Sequence, residues 1–304
     1  SEMDPLRVDR VSALLSATPR FPGKGRLADA LGRIRCKIGY GSGRCLSGGT
    51  VLRVDLRDRI QRAMWGGCYE PHVRRCLAAL IRPGDSILEV GAHIGYLTTF
   101  EASCVGPQGR VFAFEVDPDN YSRLSSHVGG VPWVSAVRKA VWESSRTLTF
   151  ERSATKGESG WGTLTSVRDL HAGAHIPVEA VSLDDWLATE PVPAIHGVKI
   201  DAEGSETAIL KGARKFLDHF APWMILETND VLLRQANTSA KELIGVLDNC
   251  GYRAFAFDWS KIVHIDESSV PHGGEVLCVP TSALHCVGEA LLRAGFEIDR
   301  GSFA

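Results

Sequence analysis

Ser86-Ile87-Leu88-Glu89-Val90-Gly91-Ala92-His93-Ile94-Gly95-Tyr96 is the stretch on which the fold turns. Its first five residues form a short β-favouring run, two glycines punctuate its middle, and Tyr96 to Cys104 suits a helix, so it reads as strand, tight turn, helix. Moving outward, Arg110 to Val116 reads as the next strand, and Asp117-Pro118 opens a helix that runs to about His127. Short connections in a β-α-β-α order imply a parallel sheet with right-handed crossovers. The pattern returns as strand Gly197 to Ile200, helix Glu206 to Phe220 and strand Trp223 to Glu227. Helix Thr238 to Asn249, closed at Gly251, and strand Tyr252 to Phe257 complete it. The expected architecture is α/β, with a doubly wound, mostly parallel, Rossmann-like sheet.

Between these halves, Val134 to Val141, Thr147 to Glu151 and Ile176 to Val181 read as strands, and Ser182 caps a helix with Asp185 as a loose capping-box partner. Gly157 to Gly162 reads as a loop whose Trp161 either lines a pocket or pins the loop to the body. Residues 1–70 are expected to form a cap that precedes the Rossmann-like domain of residues 71–304. Within the cap, Val51 to Leu56 alternates like an exposed strand. The stretch from Arg7 to Lys37 carries Arg20, Lys24, Arg26, Arg33 and Arg35 beside Leu27, Leu31 and Ile34 at helical spacing. That pattern predicts a basic amphipathic helix, read as a solvated structural element in preference to a nucleic-acid or membrane contact.

The 34 basic and 36 acidic side chains leave a formal charge of -2, which provides no global field for polyanions and argues against a nucleic-acid partner. No apolar run approaches the ~20 residues that cross a bilayer, so no membrane partner is expected. The eight cysteines contain no C-x-x-C pair, which disfavours zinc. With no secretion signal in view, the thiols are expected to be reduced in the cytoplasm.

Ligands of open parallel sheets sit beyond the carboxyl ends of the strands, so the turn from Val90 to Gly95 is a site candidate. Gly91 lets the backbone approach a ligand, and Gly95 lets the helix start close to the strand. Glu115 follows Gly91 by 24 residues at the end of the second strand, where a carboxylate can accept both ribose hydroxyls. The three-glycine pattern of dinucleotide binders is absent. A methionine-bearing adenosine has no pyrophosphate and needs that glycine-packed helix less, which favours S-adenosylmethionine over nicotinamide.

The ordered motifs resemble the FkbM family of methyltransferases over about residues 50 to 260. They are Val54-Asp55-Leu56-Arg57-Asp58, Gly67-Cys68-Tyr69-Glu70-Pro71, Gly91-Ala92-His93-Ile94-Gly95-Tyr96 and Ala113-Phe114-Glu115-Val116-Asp117-Pro118. Ser182-Leu183-Asp184-Asp185 and Val198-Lys199-Ile200-Asp201-Ala202-Glu203-Gly204 follow, then Glu206 and Leu210-Lys211-Gly212-Ala213. The resemblance implies a class I methyltransferase fold, S-adenosylmethionine as donor, and commonly a hydroxyl of a polyketide, sugar or other natural product as acceptor. The chain departs from the family pattern at His93, where Asn is usual, and at Val116, where Pro is usual. The candidate donor-binding residues are Tyr69, Glu70, Glu89, Gly91, His93, Gly95, Glu115 and Asp201, with a packing role open for Tyr69 and Glu70.

Methyl transfer from a sulfonium is an in-line displacement that depends first on alignment and, for a hydroxyl nucleophile, on a base or a metal. Asp201 and Glu203, at the end of one strand, and Glu227, at the end of the next, are the candidate catalytic acids. His93 is the remaining candidate, read as a base or as a hydrogen bond that holds the loop. Two carboxylates with Asn229 would suit Mg²⁺, although strand-end acids are useful without a metal. The partner expected is a small-molecule acceptor. An N-methyltransferase, a nicotinamide oxidoreductase and a non-catalytic nucleoside-binding module are the alternatives.

Overall fold

The computed structural model describes residues 8–152, 157, 159–160, 162–164, 167 and 174–303. An antiparallel hairpin of β1 (Ser42–Ser47) and β2 (Thr50–Asp55) comes first. The central sheet begins with β3 (Ser86–Val90), β4 (Arg110–Phe114) and β5 (Val134–Val137). A smaller four-stranded sheet follows, made by β6 (Ala140–Val141), β7 (Arg146–Glu151), β8 (Thr163–Leu164) and β9 (His175–Val181). The chain then returns to the central sheet with β10 (Gly197–Ile200), β11 (Trp223–Asn229), β12 (Tyr252–Phe257), β13 (Lys261–Ile265), β14 (Gly273–Pro280) and β15 (Glu297–Ile298).

The central order is β15-β13-β12-β14-β11-β10-β3-β4-β5. The five strands from β11 to β5 are mutually parallel, and β14 enters antiparallel between β11 and β12. The chain runs outward from β3 through β4 to β5, then restarts on the other side of β3 with β10. That reversal opens a crevice at the carboxyl ends of β3 and β10, where ligands of such sheets bind.

Strict alternation of side chains explains why this sheet is covered on both faces. Ile87, Ile225, Leu277 and Val279 pack in one apolar cluster, while their neighbours Leu88, Met224, Leu226, Val276 and Cys278 pack in another. All five residues of β3 are buried, as expected of a parallel strand between two helical layers. The first cluster also contains Leu15, Ala28, Cys45, Leu52, Val54, Met64 and Trp65 from the N-terminal residues. Leu52 and Val54 are buried while Arg53 between them is exposed, so β2 has a single buried face.

Three expectations about elements are corrected. The run from Val134 to Val141 is two strands in two sheets, not one. The helix from Glu206 to Phe220 is broken into Glu206–Lys211 and Arg214–Phe220. The break lies at Gly212, whose carbonyl accepts the Asp184 N–H at 3.0 Å and whose added Cβ would stand 2.5 Å from the Trp142 carbonyl oxygen. The helix expected from Thr238 starts at Ala240, where Ser239 Oγ accepts the Glu242 N–H at 3.1 Å. Ser182 does cap its helix, accepting the Asp185 N–H at 3.1 Å, while the Asp185 carboxylate takes the Ser145 hydroxyl at 2.5 Å instead of reaching back. Trp161 lies outside the described residues.

The basic helix is present as Lys24–Lys37, but it buries Lys24, Ala28 and Gly32 and leaves Leu27 and Ile34 exposed. Close approach is the reason. A Cβ on Gly32 would stand 2.7 Å from Arg62 Cδ, and one on Gly66 would stand 2.3 Å from the Ala28 methyl. Among the described residues, no helix is long and apolar enough to cross a membrane.

Gly212→Ala is expected to lower stability by about 1–3 kcal/mol, the usual range for overpacking. Urea denaturation measures it, and an unchanged midpoint would show that the helix break does not depend on this contact.

Candidate functional site

The turn after β3 is fixed by its neighbours on both sides. The N–H groups of Gly91 and Ala92 both donate to the Phe114 carbonyl at 3.0 Å, and the Asp201 N–H donates to the Val90 carbonyl at 3.0 Å. Gly91 has φ 84, and a Cβ there would stand 1.9 Å from the Asp201 carbonyl oxygen. Both the backbone angle and the contact exclude other residues. His93, at φ 51, carries the turn onward to Gly95, at φ 88, which caps the helix Tyr96–Val105.

This turn presents its amides to Glu115. Glu115 Oε2 accepts the His93 N–H at 2.7 Å and Oε1 accepts the Asp117 N–H at 2.7 Å. Burial nevertheless dominates and pushes the carboxyl up to about 8. Glu115 also lines the cleft, where its carboxyl has capacity left to pair with hydroxyl groups.

The cleft encloses about 830 Å³ of space, part of it open to solvent. Of the residues singled out from sequence, Tyr69, Gly91, His93, Glu115, Asp201 and Glu203 line it, with Ile60, Phe114 and Phe150 among its apolar walls. Glu70, Glu89, Gly95 and Glu227 are not among the lining residues. Glu89 instead accepts the Thr98 hydroxyl at 2.5 Å in the interior, and burial pushes it up to about 7. Asn229 accepts the Leu232 N–H at 3.3 Å as a helix cap.

Behind the cleft stands a buried cation that the sequence reading passed over. Lys199 lies 3.1 Å from Asp201 Oδ2 and 3.8 Å from Glu70 Oε2. Burial works against its charge, but Asp201, Glu70, Glu275 and Glu89 hold its pKa well above the ordinary lysine value. Burial likewise raises Asp201, and the Lys199 ammonium outweighs it, leaving Asp201 below the usual carboxylate range. Glu227 goes the other way: the Asp201 charge first, then burial, push it up to about 11, so the two carboxyls share a proton at neutral pH. The signal was available in sequence, because residues two apart on a strand share a face, which puts Lys199 beside Asp201.

Glu203 joins this pair, the ligand oxygens of Asp201, Glu203 and Glu227 lying within 4.8 Å of one another. A hard divalent cation such as Mg²⁺ would fit such oxygens. The proton on Glu227 also relieves their repulsion without one. The loop that carries Asp201 and Glu203 is braced by Glu206, whose Oε1 accepts the N–H groups of Ala202 at 3.0 Å and Gly204 at 3.3 Å. Sequence reading had given Glu206 only a favourable position at a helix start.

His93 is held by a side chain that the sequence did not single out. Its Nε2 lies 2.8 Å from Ser159 Oγ, and its Nδ1 is buried with no hydrogen-bond partner among the described residues. Burial pushes the imidazole down to about 4, so it is neutral at physiological pH. Ser159 is in turn tied to Asp58, Gln61 and Asn120, and these ties seat Ser159 over the cleft.

Residues 89–254 match the model of the methyltransferase FkbM domain, which is more than half of the chain. The chain belongs to the FkbM methyltransferase family. Three curated relatives are similar to this FkbM-family chain. Hexuronic acid methyltransferase AglP of Haloferax volcanii is 30% identical over 144 residues, covering 47% of this chain and 56% of AglP. The 2-O-methyltransferase NoeI of Sinorhizobium fredii is 23% identical over 155 residues, covering 47% of this chain and 63% of NoeI. The 31-O-demethyl-FK506 methyltransferase FkbM of Streptomyces tacrolimicus is 26% identical over 215 residues, covering 62% of this chain and 78% of that protein. The match thus spans somewhat over half the length of the first two relatives. The family's class I, Rossmann-like fold agrees with the parallel sheet and its crevice between β3 and β10.

The raised carboxyls set a pH dependence of stability. Glu89 and Glu206 sit at about 7 and Glu115 at about 8 in the folded chain, all above the ordinary 4.5. The folded state therefore keeps protons that the unfolded chain releases, and the stabilisation is full below about pH 4.5 and lost as pH rises through 7 to 8. Glu89→Gln, which still accepts the Thr98 hydroxyl, should flatten the fall in unfolding free energy between pH 5 and 8 by up to about 3 kcal/mol. Identical pH slopes for the two proteins would rule out a protonated Glu89.

Proposed function

We propose that this chain transfers a methyl group from S-adenosylmethionine to a hydroxyl of a natural product or sugar-containing metabolite. The observation that carries the reading is the Gly91 turn laid beside a buried Glu115, with an acidic strand end across the same cleft. Glu115 takes the ribose hydroxyls, and the apolar walls of Phe114 and Phe150 shield the donor from water. The names of the three relatives, two O-methyltransferases of defined position and one hexuronic acid methyltransferase, support a hydroxylated acceptor. The cytoplasm, where thiols stay reduced, suits a chain whose eight cysteines are all free.

In this reading, the ionised Asp201 binds either the donor's ammonium or the acceptor hydroxyl, with Lys199 holding its charge and orientation. Glu203 stands beside it as the carboxylate that takes the acceptor's hydroxyl proton as the oxygen–methyl bond forms and the sulfonium leaves as a thioether. Neutral His93 shapes the turn and leaves the sulfonium unopposed by a second positive charge. Alignment of hydroxyl, methyl and sulfur supplies most of the acceleration.

Glu115→Ala should raise the donor's dissociation constant about 10- to 100-fold, the loss of two hydrogen bonds from the ribose hydroxyls at about 1 kcal/mol or somewhat more each. Titration calorimetry with S-adenosylmethionine and, separately, NAD measures this, and unchanged donor binding would remove the ribose role. Glu203→Gln should keep donor binding and lower single-turnover methyl transfer to a panel of hexuronic acids and other sugars by roughly 100-fold or more. Full turnover in that variant would take Glu203 out of acceptor chemistry.

A further inference from the structure

Helix Lys24–Lys37 turns Ala28 and Gly32 inward, and while Leu31 is half-buried against the core its other large apolar residues face solvent. Leu27 is 43% exposed, Ile34 54% and Ile38, just past the last turn, 65%. Spacings of seven and four put the three in one stripe along the helix. Arg26, Arg33 and Lys37 repeat the same spacings one residue earlier, so a basic stripe lies alongside the apolar one, and all three are exposed. The surroundings reinforce the pattern. Among the described residues, eight of the eleven exposed large hydrophobics fall between Val11 and Leu46.

Charge identifies the occupant. Residues 8–66 hold twelve Lys and Arg against four Asp and Glu, a net +8 in a chain whose total is -2. The four acids are engaged within this protein: Asp9 with Arg35, Asp29 with Arg33 and Arg62, Asp55 with Arg57, and Asp58 with the amides of Gln61 and Ser159. A second copy would bring one basic face against another. Nucleic acid would satisfy the cations and leave Leu27, Ile34 and Ile38 in water. A bilayer with acidic headgroups answers both stripes at once, because arginine and lysine reach the phosphates while leucine and isoleucine enter the acyl boundary.

We propose that the outward face of helix Lys24–Lys37 docks this protein on the surface of an anionic bilayer. The helix lies in the interface and does not span it. The apolar stripe supplies hydrophobic burial, and the basic stripe supplies attraction that salt weakens.

Cosedimentation of the full chain with phosphatidylcholine vesicles, with or without phosphatidylglycerol as about one lipid in three, tests the proposal. Binding should be at least about tenfold greater on the anionic vesicles at low salt and should fall as salt is raised. The double variant Ile34→Ser/Ile38→Ser should lower the bound fraction about tenfold with an unchanged thermal midpoint, since both side chains are exposed. Arg26→Ser/Lys37→Ser should weaken binding and reduce its salt dependence. Equal binding to neutral and anionic vesicles would overturn the proposal, as would undiminished binding of the Ile34→Ser/Ile38→Ser protein. A wild-type dimer that this substitution converts to monomers would overturn it too, because a second copy would then fill the stripe.

Discussion

The site depends on one close approach, the Gly91 backbone pressed against the carbonyl of Asp201. Parallel pairing of β3 with β10 brings the two strand ends level, and a glycine at positive φ lets the turns beyond them touch. The same turn sends the His93 amide to Glu115 and starts the next helix at Gly95. The Glu115 half and the acidic half of the cleft are therefore joined along one seam. A side chain at Gly91 would separate them before it altered any chemistry.

Behind that seam, electrostatics is organised by a single buried ammonium. Lys199 is 2% exposed and faces carboxyls from β3, β14, the turn that follows β10 and the turn before helix Pro71–Leu80. Burial disfavours every isolated charge in this region, and Lys199 outweighs it only for Asp201, which touches it, while Glu70 at 3.8 Å is still raised by burial. Asp201, in direct contact, stays ionised, while Glu227 and the interior Glu89 and Glu101 are driven toward their neutral forms, Glu227 first by the charge of Asp201. One strand thus presents a fixed anion to the cleft without a field of repelling carboxylates around it. Asp201 stays ionised because the Lys199 ammonium stands two residues before it.

The N-terminal residues serve the cleft and the surface at once. Their inward side closes one apolar cluster with Leu52, Val54 and Trp65, and its Asp58 and Gln61 hold Ser159 over His93. Their outward side carries the exposed stripe of helix Lys24–Lys37. The two sides meet in Ala28 and Gly32, which had to be small for the helix to come near Arg62 and Gly66.

Local signals in the sequence determined the strand-turn-helix at Ser86 to Tyr96, the crossover order, the caps at Ser182 and Gly251, and the meeting of Gly91 with Glu115. These follow from period, turn chemistry and spacing, which act over a few residues. The motif from Val198 to Gly204 was equally legible, including the acids at Asp201 and Glu203. Only the tertiary structure decided which carboxyls keep their charge, because that depends on Glu70, Glu227 and Glu275 arriving beside Lys199 and Asp201 from distant segments. It also decided that Glu206 braces the acidic loop, that Ser159 holds His93, and that Glu89 turns into the interior. The helix at Lys24 to Lys37 shows the reason most simply. Sequence period finds an apolar stripe, but which side of a helix faces the body is set by what fits against it, and here Ala28 and Gly32 are small enough to allow the close approach to Gly66 and Arg62.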